Sequence, residues 1–245
     1  MLRTLLLHPL FNALLLIYAV IPGHDFGLAV IVFTLFIRVL LWPLVRKQLH
    51  HQKAMRDLQP EITKLKKQAK GDRQKESQLM VELFKEKELN PFSSIGLALV
   101  QFPVLIALFF VLSQIAEPGR VAEVAYSFVA TLPTVAGIIA NPDGFDPMFL
   151  GLVHMAKPNF ILAILAGLAQ YAQARQLTPK NTAAAGSSAA LAFNMTLIFP
   201  ILTVAFAITL PSALALYWGV SSLVAVYQQH RVLSQDAQEM RKEGS

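Results

Sequence analysis

The 245-residue sequence predicts an all-α membrane protein: five transmembrane helices, a cytoplasmic helical hairpin and an amino-terminal interfacial helix. Three observations carry that reading. Hydrophobic residues make up 55% of the chain against 15% charged, with a mean hydropathy of +0.51, which leaves no room for a large soluble module beside one compact domain. Apolar runs of about 20 residues recur, and at ~1.5 Å per helical residue each covers a hydrocarbon core of ~30 Å. The only long polar segment, residues 46–92, is basic and helically patterned.

The chain has no cysteine, so disulfides and thiolate metal sites are excluded, and no lipid-modified amino-terminal cysteine is expected. The net charge of +6 fits basic cytoplasmic loops better than nucleic-acid binding in a chain this apolar.

Residues 1–25 hold an apolar stretch whose first half is broken by His8, Pro9 and Asn12. With Arg3 as its one base and no A-x-A cleavage site, it does not read as a signal peptide. It is expected to lie as an interfacial helix on the outer face, turned into the first span by Pro22-Gly23-His24-Asp25.

The first span, residues 26–45, contains one charge, Arg38. A helical arginine at mid-membrane costs about 2.5–3.5 kcal/mol on insertion scales, so something must solvate it. Two readings stand. Arg38 lies seven residues before Val45, ~10 Å along the helix axis, within snorkelling reach of the interface. Alternatively, it lines a wet cavity inside the bundle. Trp42-Pro43 ends the span at the interface, and Arg46-Lys47 mark the cytoplasmic side.

Residues 46–92 carry twelve bases against seven acids, a net of +5. Met55, Leu58, Ile62, Leu65 and Ala69 repeat at intervals of three and four, a helical seam. Pro60 is expected to kink this arm, Gly71-Asp72 to make the turn, and Leu79, Met80, Leu83 and Phe84 to stripe a return helix stopped by Asn90-Pro91. The hairpin is either a solvated element that sets topology or a surface that meets ribosome or lipid.

The second span, 93–113, contains Gln101 and Pro103. Residues 114–158 form an outer connection. Its apolar piece, Val124–Ala140, is interrupted by Pro133 and Gly137, and counting it as a span would move Arg175, Lys180 and Arg231 outside. The positive-inside rule rejects that. The third span is 159–176, followed by a short loop at 177–190. The fourth and fifth, 191–210 and 211–230, are joined tightly at Pro211, and 231–245 is a polar tail. The amino end is outside and the carboxyl end cytoplasmic.

Catalysis has little support. No span interior holds Asp, Glu or Lys, so a coupled carrier lacks its usual carboxylate. His50-His51 stand outside any HExxH helix, and no glycine-rich phosphate loop is present, so no metal, cofactor or nucleotide is expected. Besides Arg38, the spans offer Thr34, Gln101, Gln114, Gln170, Gln173, Asn194 and Ser222. Singly, each reads as an interhelical hydrogen-bond partner; together they would wet a groove around Arg38.

Several strings carry a resemblance: Thr34-Leu-Phe-Ile-Arg38, Leu41-Trp-Pro43, Lys47-Gln48, Met55-Arg-Asp-Leu-Gln-Pro-Glu61, Asn90-Pro91, Gln101-Phe-Pro103, Leu214-Ala-Leu-Tyr-Trp218 and Gln228-Gln229. In this order the chain resembles the YidC/Oxa/Alb membrane protein insertases, in a short bacterial form expected to have no large periplasmic domain. The resemblance implies five spans around a hydrophilic groove open to cytoplasm and lipid. It puts the groove arginine at Arg38 and further groove positions at Gln101, Gln173 and Trp218. It also implies a bacterial inner-membrane location, nascent membrane proteins as substrates, the lipid bilayer as surroundings, and ribosome and Sec translocon as further partners. No specific nucleic acid and no nucleotide hydrolysis are implied. The chain departs from the family pattern at Pro211-Ser-Ala, where Pro-x-Gly is usual, and at Phe149-Leu-Gly-Leu-Val-His154. Two other functions use the same residues: a small-solute or anion channel with Arg38 as its selectivity charge, and an assembly chaperone without insertion activity.

Overall fold

The computed structural model describes residues 5, 7–88, 106, 108–111, 120–177 and 187–243, with the backbone alone for 144, 177, 187–196 and 235–243. Of the second expected span only 106 and 108–111 are described, and these are helical; Gln101 lies outside the described residues.

The described residues are mostly helical. Helix α1 (His8–Val20) starts with Pro9 in its first turn, where a missing N–H costs nothing. It buries Phe11, Leu14, Leu15 and Tyr18, one helical face, against the bundle. Asn12 on that face donates to the Val124 carbonyl at 3.1 Å and accepts from the Tyr126 N–H at 2.6 Å, pinning the connecting segment onto α1.

Helix α2 (Phe26–Leu40) is capped by Asp25, whose carboxylate accepts the Leu28 N–H at 2.8 Å. Phe26, Val30, Phe33 and Ile37 face the core, while Val32, Leu35, Phe36, Val39 and Leu40 are exposed. The helix breaks at Leu41, and α3 (Trp42–Asp57) leaves at 68°. Pro43 explains the break, because it donates no N–H and its ring clashes with the preceding turn. The first expected span, 26–45, is thus a straight helix to residue 40 followed by a bend.

Helices α4 (Gln59–Gln68) and α5 (Arg73–Glu86) make a hairpin inside the 46–92 segment, whose first residues belong to α3. Leu58, Ile62 and Leu83 are its buried contacts. Gly71, with φ of +90°, turns the chain where a side chain would be strained, and Asp72 caps α5 through the N–H groups of Gln74 and Lys75.

The connecting segment is three short helices, α6 (Arg120–Val124), α7 (Ser127–Ala130) and α8 (Pro133–Ala140). The longest has eight residues, ~12 Å. A two-stranded antiparallel hairpin follows, β1 (Met148–Phe149) and β2 (Val153–His154). It ties two helix starts together. The Leu150 N–H donates to Asp25, and the Phe149 ring lies where a Cβ on Gly27 would fall, 2.3 Å away. At the other side the carbonyls of Met155 and Lys157 accept from the N–H groups of Ala213 and Ser212, satisfying the orphan donors of the last helix.

Helices α9 (Phe160–Leu177), α10 (Ser187–Ala207) and α11 (Ser212–Glu243) complete the bundle. Ala163, Ala166, Ala207 and Ala215 form a seam of small side chains that lets backbones approach. Opposite the seam, Ile161, Leu165, Leu168, Phe199, Ile201 and Phe206 are exposed. So broad an apolar surface fits contact with lipid. Among the described residues no single helix is long and apolar enough to cross a membrane; α2 with α3 passes that test as a bent pair.

Candidate functional site

Arg38 sits in the last turn of α2 with only 8% of its surface exposed. Its Nε and Nη2 both donate to the Ser221 hydroxyl, at 2.9 and 2.5 Å. Ser221 is nine residues into α11, ~13 Å from that helix's start, and Arg38 is twelve residues into α2, ~18 Å from its own. Because helical side chains lean toward the amino end, the guanidinium reaches across to α11 and back toward the β-hairpin, away from the basic segment. The snorkelling geometry toward Arg46-Lys47 is therefore not the one adopted.

Periodicity on α11 builds the rest. Tyr217, Ser221 and Gln228 fall at i, i+4 and i+11 of one stripe, and all three are buried. The Gln228 amide donates to the Arg38 carbonyl at 3.5 Å. Two turns before the end of α2, Thr34 is buried and bonds its own helix at the Val30 carbonyl, 2.6 Å. The neighbouring stripe of α11 faces α9, where the Ser222 hydroxyl donates to Gln170 Oε1 at 2.7 Å.

Gln173 and Trp218, the other groove positions named from the sequence, are half-buried on this α9 side. Trp218 packs between the main cluster and the alanine seam. Arg38 on α2 and Gln173 on α9 thus flank α11, whose Ser221 stripe meets the first helix and whose Ser222 stripe, beside Trp218, meets the second. Gln101 is outside the described residues. Missed from the sequence were Ser221 as the arginine's acceptor and the burial of Gln48, Gln228 and Gln229. The signal for Ser221 was present: a small polar residue at mid-helix on the Tyr217 stripe. A separate cavity of about 620 Å³ at the β-hairpin end, lined by Tyr18, His24, Asp25, Thr134 and Asp146 among others, shares no residue with this site.

Residues 16–239 match the family model described as 60Kd inner membrane protein. The chain belongs to the 60Kd inner membrane protein family. Curated relatives agree along most of its length. The membrane protein insertase YidC of Clostridium tetani is 31% identical over 207 residues, covering 84% of this chain and 81% of its own. The membrane protein insertase MisCA of Bacillus subtilis is 31% identical over 222 residues, 89% of this chain and 74% of its own. In the YidC of Syntrophobacter fumaroxidans, 30% identical, the match covers 85% of this chain but 34% of that one. The resemblance read from the sequence strings is therefore correct: this is a member of the YidC/Oxa/Alb insertases.

Proposed function

We propose that this chain is a membrane protein insertase of the bacterial inner membrane that works without nucleotide hydrolysis and forms no covalent intermediate. Five spans, amino end outside and carboxyl end cytoplasmic, enclose a hydrophilic groove with Arg38, Gln101, Gln173 and Trp218 on its walls. In that orientation the β-hairpin lies on the outer side, bridging α2 and α11, and the α4–α5 hairpin faces the cytoplasm. The single observation that carries the reading is a buried guanidinium held between α2 and α11 in a family of insertases.

A nascent apolar segment brings a short hydrophilic extension that has to cross. Arg38 attracts acidic groups in the extension. At an effective dielectric near 20 and about 8 Å, one charge pair gains roughly 2 kcal/mol, which offsets part of the desolvation cost and still permits release. The apolar segment then moves sideways into lipid, its burial contributing about 25 cal/mol per Å². Ribosome and Sec translocon are proposed partners on the cytoplasmic side, the first through the basic hairpin.

Proteoliposomes and rescue of insertase-depleted cells test this. Arg38→Ala lowers insertion of acidic-tailed single-span substrates roughly 10- to 30-fold, the factor corresponding to the lost ~2 kcal/mol. Arg38→Lys keeps most activity. Ion flux without protease protection of a test substrate would identify a channel instead.

A further inference from the structure

At the end of the bundle opposite the β-hairpin, α3 crosses α9 and α11. Val45 and Leu49 pack on Val232, and Arg56 donates to the Gln176 carbonyl at 3.5 Å. Around this crossing, five glutamines carry buried amide atoms without a hydrogen-bond partner. These are Oε1 of Gln48, Gln52, Gln176, Gln228 and Gln229, together with Nε2 of Gln229. Gln48, Gln228 and Gln229 are each more than nine-tenths buried. Native interiors pair nearly all such groups, so a cluster of orphans marks a place for polar partners from outside the chain, whether water or polypeptide.

We propose that this junction is a main-chain receptor: the glutamine amides take up N–H and C=O groups of an extended polypeptide entering from the cytoplasm. The inference rests on the insertase reading above and adds what the entrance recognises.

The chemistry selects the occupant. As the side chains stand, five of the six orphan atoms are acceptors, which favours N–H donors over an anion. A cation is disfavoured because the five residues include no acid while α3 carries Arg46, Lys47, Lys53 and Arg56. A carboxamide has the same donor and acceptor groups as a peptide bond and can present either edge. It therefore pairs with any main chain, whatever its side chains, which suits a protein that must accept many substrates. The Leu41–Pro43 bend is the hinge on which α3 moves off α11 to admit the chain. Docked α3 leaves these six amide atoms unpaired, which weakens the closed junction relative to one with an occupant.

Register follows from α11. Gln228 is seven residues beyond Ser221, the partner of Arg38, or ~10 Å along the helix. An extended chain covers that in about three residues. A polypeptide paired at the amides therefore presents to Arg38 a side chain about three residues ahead.

The chain has no cysteine, so single-cysteine variants give unambiguous disulfide mapping in the full-length protein. Ribosome-bound nascent chains with one cysteine scanned along a polar tail are the probe. The maximum for Gln229→Cys should trail the maximum for Ser221→Cys by about three residues, with neutral and acidic tails alike. In a second arm, Gln48→Leu with Gln229→Leu removes orphan polar atoms, so the melting temperature should hold or rise. Insertion of neutral- and acidic-tailed substrates should fall together, about 10-fold. Crosslinks at Ser221→Cys with none at Gln229→Cys would overturn the proposal, as would wild-type insertion by the folded double-leucine variant, in which case the amides hold water only. Failure of the wild-type chain to insert either substrate would instead sink the insertase reading.

Discussion

A buried arginine in a membrane bundle is tolerable only if its donors are engaged, and here Ser221 accepts from two of them. Hydrogen bonds to charged groups contribute about 1.5–3 kcal/mol, so Ser221→Ala should destabilise the protein by that order. Ser221→Thr retains the hydroxyl and should restore both stability and insertion. Thermal melting together with insertion of acidic-tailed substrates checks this; an Ala variant equal to wild type in both would remove Ser221 from the account. The arginine itself stands out in the sequence because it is the one charge in a 20-residue span that is otherwise almost wholly apolar. Its partner is legible only as a small polar residue on the Tyr217 stripe of α11; that it meets Arg38 is not, because 183 residues separate them.

At the scale of elements, the bundle is stapled at its β-hairpin end. Gly27 is glycine because the Phe149 ring occupies the place of a side chain. Gly27→Ala forces the ring away and should cost about 1–3 kcal/mol, as overpacking does. Adding Phe149→Ala should recover part of that loss, since the clash disappears with the ring. A melting-temperature double-mutant cycle measures the coupling, and strict additivity would contradict the contact. Breaks and turns were the legible part of the architecture. Pro43, Pro60 and Gly71-Asp72 each mark a helix end through a local backbone constraint, and the structure breaks at or beside each. The close approach of Phe149 to Gly27 was not legible, since it joins segments more than 120 residues apart. The burial of three glutamines was not legible for a related reason. Gln48, Gln228 and Gln229 look like solvated polar residues near a span end, and only the crossing of α3 over α9 and α11 buries them.

On the scale of the whole molecule, a few polar groups are buried inside an otherwise apolar core, while large apolar side chains cover much of the outer surface. Arg38, Ser221, Ser222, Gln228 and Gln229 are buried, while phenylalanines, leucines and isoleucines of α2, α9 and α10 are exposed. The hairpin α4–α5 holds together through its own cluster, apart from the main core, so it can move without unpacking the bundle. In the proposed function, a travelling segment meets lipid on one flank and the Arg38 charge on the other. In the proposed mechanism the sign of this one charge selects the polar tail. Charge reversal tests it most directly: insertion rates of a single-span substrate with an acidic and with a basic tail, compared between wild type and Arg38→Glu. Wild type should insert the acidic tail faster, and the variant should insert the basic tail faster. An unchanged preference for the acidic tail in folded Arg38→Glu would contradict the claim.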